Sequence, residues 1–117
     1  MRNFQELNIW KRSHTLTLKI YHHTQSFPKE ELYCLTSQMR RSASSIPTNI
    51  AEGCGRNSNA EMKRFLTISA GSTSELEYQL ILSKDLGYLE EKYFKELINE
   101  ITEIRRMIYA FHNNIKD

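Results

Sequence analysis

Valine is absent from the chain and no stretch alternates apolar and polar residues for long, so both the side chains and the period of β-strands are missing. Glycine occurs four times and proline twice, too rarely for a fibrous, loop-rich or low-complexity polypeptide, and no internal repeat is visible. Long apolar runs are missing as well, which excludes a membrane span. Arg2, Glu6, Lys11, Arg12 and Lys19 break up the stretch that a signal peptide would need. A cytoplasmic location and no membrane partner are therefore expected. The two cysteines, Cys34 and Cys54, form no C-x-x-C pair and are expected as free thiols in a reducing compartment. The formal net charge of +2 is too small to announce nucleic-acid binding by itself.

What remains is a helical composition: 117 residues, 39% hydrophobic and 26% charged, enough for one domain over residues 1–117 with one core. Four segments carry the helical period. The last is the clearest, with Phe94, Leu97, Ile101, Ile104, Ile108, Phe111 and Ile115 at alternating spacings of three and four. The second runs from about Pro28, with acids in its first turn, through Leu32, Leu35, Met39, Ala43, Ile46 and Ile50. The third opens on the capping box Ser58-Asn59-Ala60-Glu61 and closes at Gly87. The first spans about Phe4 to Ser26 through Leu7, Trp10, Leu18 and Tyr21, with Leu16 and Ile20 widening its face. Links of a few residues force consecutive helices to run antiparallel, which predicts an all-α, up-down-up-down four-helix bundle.

Pro47 falls inside the second helix, where it cannot donate to the Ala43 carbonyl; Ser44 and Thr48 are the nearest hydroxyls to compensate. Ser42 and Ala43 are expected opposite Ser69, Gly71 and Ser72, a close small-on-small packing. The third helix is apolar over an arc wider than one partner face requires. Leu76, Tyr78, Ile81 and Leu82 are accordingly expected to meet another copy of the chain, as a homo-oligomer.

Catalytic patterns are wanting. A di-iron bundle needs Glu-x-x-His on two helices, and none of His14, His22, His23 or His112 has a Glu three residues before it. Cys54 stands between Gly53 and Gly55 at a helix C-terminus, which raises a thiol pKa, and helix termination explains the two glycines. No catalytic residue, metal, cofactor or small-molecule substrate is expected. Ser45, Asn49, Glu52 and Arg56 share one stripe of the second helix, and Arg41 is in register with Glu75. Together they predict a polar seam that fixes helix register or subunit contacts, with an Arg41–Glu75 ion pair.

Placed on the up-down-up-down topology, the charges separate along the bundle. One end collects Arg2, Lys11, Arg12, Arg56, Lys63, Arg64, Arg105, Arg106 and Lys116 against Glu6, Glu52, Glu61, Glu103 and Asp117, nine positive against five negative. The opposite end has Lys29, Lys84, Lys92 and Lys95 against six acids, Glu30, Glu31, Asp85, Glu90, Glu91 and Glu96. In a cyclic oligomer with parallel subunits the basic ends add into a ring able to track a phosphate backbone. Lys11, Arg12, Arg56, Lys63, Arg64, Arg105 and Arg106 are the candidate nucleic-acid contacts.

The run from Gln38 through Ser44-Ser45-Ile46-Pro47-Thr48-Asn49-Ile50-Ala51-Glu52-Gly53 to Arg56 resembles the signature of the four-helix-bundle proteins encoded in intervening sequences of bacterial 23S ribosomal RNA genes. Phe65-Leu66, Gly71-Ser72, Glu75-Leu76-Glu77, the opening Phe4-Gln5-Glu6-Leu7-Asn8-Ile9-Trp10 and Phe27-Pro28 extend the likeness over nearly the whole chain. The resemblance implies a ring-shaped pentamer of antiparallel bundles, related to the accessory protein of diversity-generating retroelements, which engages RNA or DNA and a reverse transcriptase. It implies an association with ribosomal RNA and no catalytic residues. Ser69 and Ala70 depart from the pattern, standing where alanine followed by a basic residue is expected. The favoured reading is a non-enzymatic, nucleic-acid-associated assembly protein; the alternative is an interaction scaffold docking a partner such as a reverse transcriptase.

Overall fold

The computed structural model describes residues 2–116. Four helices follow one another: α1 (Asn8–Thr24), α2 (Leu35–Cys54), α3 (Asn59–Asp85) and α4 (Glu91–Asn114). Short 3-10 turns precede α1 at Phe4–Glu6 and α2 at Lys29–Glu31. Among the described residues there is no strand.

The polar ties between helices set the direction of each pair. Thr17 reaches Ala43 and Arg40 reaches Thr24, so α2 descends as α1 climbs. Ser69 bonds to Ile46 and Ser83 to Met39, which runs α3 against α2. Arg105 lies against Glu77 while Lys84 covers Phe94, so α4 opposes α3. Finally Arg12 pairs with Glu103 and Lys19 with Glu100, closing an antiparallel square of α1 and α4. This is the up-down-up-down four-helix bundle, 44 Å long.

The core follows the 3.6-residue period. Leu97, Ile101, Ile104 and Ile108 of α4 are buried against Met39, Ala43, Ile46 and Ile50 of α2, Leu66, Leu76 and Leu80 of α3, and Leu16 and Ile20 of α1. In α1 the buried line is Ile9, Ser13, Leu16, Thr17, Ile20 and Thr24, so the expected inward face was misplaced: Leu18 and Tyr21 are exposed. Leu16 and Ile20 define the stripe, while Leu18 and Tyr21 stand away from it at 100° per residue. Helix α2 also starts later than Pro28. Residues 29–34 form the 3-10 turn and a bend, and this leaves Leu32 outside the helix and exposed.

Helix ends are individually accounted for. Ser58 caps α3 by accepting the Glu61 N–H at 3.1 Å. At the other end Tyr88 N–H bonds to Ser83 O at 2.9 Å and Gly87 N–H to Lys84 O at 3.0 Å, a Schellman motif with Gly87 at φ 82°. Gly53 does not terminate α2. It is buried where α2 and α3 approach, and a Cβ there would stand 2.8 Å from Met62 Sδ and 3.3 Å from the Met62 carbonyl. Gly71, expected at that contact, is exposed instead. The close packing of α2 on α3 is made by Gly53 and by Ser69 and Ser72, whose hydroxyls bond to Ile46 O and Ser45 Oγ, each at 2.9 Å.

Pro47 is accommodated by a neighbouring helix. The Ala43 carbonyl, which loses its partner four residues on, accepts the Thr17 hydroxyl of α1 at 3.1 Å. Ser44 bonds to Arg41 O instead, and Thr48 is exposed, so the local hydroxyls do not take that role.

Candidate nucleic-acid interface

The start of α1, the α2–α3 turn and the end of α4 meet at one pole, because alternating helices return there. Within the described residues this pole carries Arg2, Lys11, Arg12, Arg56, Lys63, Arg64, Arg106 and Lys116 against Glu6, Glu52, Glu61 and Glu103. Asp117, counted with this end from the sequence, lies outside the described residues.

Two aromatic rings organise the arginines. Arg56 and Arg64 both approach the ring of Phe65, at 4.8 and 5.2 Å. Arg2 lies over Phe111 of α4 at 5.3 Å, and its backbone N–H is tied to Cys54 O at 3.3 Å, so the chain start crosses the end of α2. Guanidinium groups held on rings keep their edge N–H donors available while their stems are restrained. Arg2 and Arg56 both line a cleft of about 300 Å³ that Asn57, Ser58 and Asn59 complete at the start of α3. Burial pushes the Cys54 thiol at the back of this cleft above its ordinary pKa, with the Arg2 charge pulling the other way, so the thiol stays protonated near neutrality.

The acids nearby restrain these cations weakly. Arg56 meets Glu52 at 3.3 Å and Arg64 meets Glu61 at 3.6 Å, both exposed pairs within one helical turn or the bend that follows it. Such pairs contribute about 0–1 kcal/mol and are screened by salt, so a polyanion can displace the carboxylates. Arg12 is held more firmly. Its hydrogen bond to Glu103, 2.9 Å, raises the arginine pKa and holds the carboxyl below its usual range, which directs Arg12 along α4.

Other residues expected at this site are distributed differently. Lys11 is exposed on the first turn of α1, and Lys63 is half-buried on α3. Arg105 does not belong to the pole: it bonds to Glu77 at 2.8 Å and Thr73 at 3.4 Å, near the middle of α3. Arg106 is exposed on α4 about 12 Å short of the helix end at 1.5 Å per residue, near the height of Arg12, whose partner Glu103 lies one turn further from that end. Ser69 and Ala70, where the family pattern suggested a basic residue, are fully buried, and a charged side chain at Ala70 would have to enter the core.

The polar seam is partly assembled. Asn49 donates to Ser45 O and Oγ at 2.8 and 2.9 Å, and Ser72 joins them from α3. Arg41 and Glu75 are both exposed and form no ion pair with each other or with any other described residue, contrary to the expected register contact. Helix α3 meets α2 along Ser69, Ser72 and Ser83, a line that excludes Glu75. Arg41 lies instead on the shoulder between α1 and α2, beside Tyr21 and Tyr33. Of the residues expected to meet another copy, Leu76 is fully buried in the protomer's own core and cannot do so. Tyr78 and Ile81 are exposed and Leu82 is half-buried.

The histidines are spread among aromatic contacts. His14 stacks on Trp10 with ring centres 5.0 Å apart, and His23 packs against Tyr93 at the same distance. Burial, then the charge of His22, lowers the His23 pKa. Among the described residues no three His, Cys, Asp or Glu side chains converge as a metal-binding set, and no helix is long and apolar enough to cross a membrane. Sequence reasoning missed the ring contacts of Phe65 and Phe111. The only signal was Arg64 next to Phe65, which says nothing of Arg56 until the α2–α3 turn is folded.

Comparison with known proteins gives the family and a structural likeness. The family model described as 23S rRNA-intervening sequence protein matches residues 5–110. A crystal structure of a protein of unknown function from the S23 ribosomal protein family of Bacteroides thetaiotaomicron superposes with a TM-score of 0.80. It is 23% identical, over 89% of this chain and 97% of that one, a likeness of fold. No curated protein matches the chain.

Proposed function

This chain belongs to the 23S rRNA-intervening sequence protein family, and from that premise we propose that it is a non-catalytic assembly protein that associates with RNA, ribosomal RNA first, in the cytoplasm. Copies form a ring, a pentamer by family resemblance, with their basic poles on one side. Each pole contacts the phosphate backbone.

The observation that carries this reading is the trio Arg2, Arg56 and Arg64, brought together from three segments and laid on Phe65 and Phe111 beside one polar cleft. Rings that hold guanidinium stems lower the entropy lost when those groups engage a phosphate, and Arg presents fork geometry to its oxygens. Contacts of this kind position a backbone and do not read bases, so binding tolerant of sequence is expected.

The test is the salt dependence of binding to a ribosomal RNA fragment, followed by anisotropy. Arg2→Gln, Arg56→Gln and Arg64→Gln combined should weaken binding at least tenfold. The log–log salt slope should fall by about 2 for each pole engaged, at roughly 0.7 per single-strand phosphate contact. Lys84→Gln, Lys92→Gln and Lys95→Gln at the opposite end should leave the slope as it is. Equal slopes for both triple variants would refute RNA binding at the basic pole.

A scaffold reading, in which a protein partner such as a reverse transcriptase docks on the bundle, is favoured by one observation. Tyr33 is 89% and Tyr78 61% exposed, well away from the basic pole. Those residues have a more economical explanation in a second copy of the chain.

A further inference from the structure

We propose that neighbouring protomers dock the α1–α2 shoulder of one onto the outer back of α3 of the next, Arg41 of the first pairing with Glu75 of the second. The inference rests on the ring reading above and specifies its interface.

Each surface sets exposed apolar side chains beside one uncompensated charge. On the shoulder, Tyr21 and Leu32 are exposed beside Tyr33. Arg40 there is already engaged by the Thr24 hydroxyl and the Tyr21 ring, whereas the Arg41 side chain has no ion pair or hydrogen bond among the described residues. On the back of α3, Tyr78 and half-buried Leu82 lie on the face of Glu75, which also lacks a partner among the described residues; neighbouring Glu77 is taken by Arg105. Opposite charges left single beside exposed apolar side chains on two different faces are the complementarity a heterologous contact uses. Gly71, on the same outer face of α3, supports close approach. A Cβ there would meet nothing within 4 Å in the protomer, although glycine inside a helix costs about 1 kcal/mol relative to alanine.

The register is close. The ties Ser45–Ser72 and Met39–Ser83 bracket Arg41 and place it opposite about residue 79 of α3, roughly 6 Å along the bundle from Glu75 at 1.5 Å per residue. Rotation about an axis parallel to the helices preserves height, so a pair that diverges around one bundle can meet between two across that offset, which the long Arg41 and Glu75 side chains span. A twofold axis across the bundles at that height would also align the pair, but it would send the basic poles to opposite ends. Rotation about the parallel axis keeps every basic pole on one side.

Light scattering with size separation tests the pairing on the full chain and on Arg41→Glu, Glu75→Arg and their combination. Both positions are exposed and unpaired, so each variant should retain the native helical circular dichroism. The native chain should give a multiple of 13.8 kDa, each single variant should fall toward 13.8 kDa at the same concentration, and the double variant should recover the native mass. Tyr78→Ala, which leaves both charges, should also shift the equilibrium toward the monomer. A native chain that stays monomeric at all concentrations overturns the docking and the ring together. Assembled single variants, or a double variant that fails to recover, overturn the docking alone.

Discussion

Replacing Thr17 with valine isolates one atom whose effect depends on Pro47. Valine keeps the shape of threonine but removes the hydroxyl that donates to Ala43 O at 3.1 Å, a carbonyl already deprived of its helical donor. Thr17 is only 7% exposed and Ala43 is fully buried, so water cannot readily replace the hydroxyl. The same hydroxyl lies 2.8 Å from Ser13 O, but that carbonyl has the Thr17 N–H as its helical partner and loses little. Leaving a buried carbonyl unpaired costs about 1–3 kcal/mol. At roughly 4 °C per kcal/mol for a chain of this size, Thr17→Val should lower Tm by about 4–12 °C. Pro47→Ala returns an N–H to Ala43 O. In that background Thr17→Val should be milder by about 1 kcal/mol, as a coupling between two contacting positions. Urea unfolding of the four proteins gives the cycle. An equal cost of Thr17→Val with and without Pro47 would show that the hydroxyl does not serve the orphaned carbonyl.

Gly53→Ala should destabilise by about 1–3 kcal/mol in urea titrations, since the new methyl overlaps Met62 and one of the contacts is backbone; an unchanged midpoint would mean that α2 and α3 are less closely packed. Gly87→Ala should cost about 1–2 kcal/mol by forcing a side chain into φ 82°, and Gly87→Asn should cost less. His23 binds its proton less readily folded than unfolded, so stability should rise with pH through the window ending near the ordinary imidazole value of about 6.5. Thermal melts from pH 5 to pH 7.5 should show this slope, and His23→Gln should flatten it. Of the two thiols, exposed Cys34 should react with a disulfide reagent at once and Cys54 only on unfolding. Two fast thiols per native chain would contradict the burial of Cys54.

The helices were legible because their signals are local. The spacing of Leu97, Ile101, Ile104 and Ile108, the Ser58 cap and Gly87 each act within a few residues. Short links then left little choice of topology. Misplaced elements were those where a local cue had a rival. Leu18 and Tyr21 are apolar enough to mark a face, but Leu16 and Ile20 define the stripe that is buried. Pro28 suited a helix start, yet a 3-10 turn and a bend intervene before α2. Partners across helices were harder, since they depend on rotation about each axis. That explains the absent Arg41–Glu75 pair, the inward Leu76, Arg105 at mid-bundle, and the Thr17 and Phe65 contacts that no spacing announces.

The RNA reading is tested most directly by ultraviolet cross-linking of the native protein to a ribosomal RNA fragment, with the attached peptides identified by mass spectrometry. Cross-links should fall on the peptides holding Phe65 and Phe111 and on the chain start around Arg2. Cross-links confined to Tyr33, Tyr78 or the acidic end would contradict RNA binding at the basic pole.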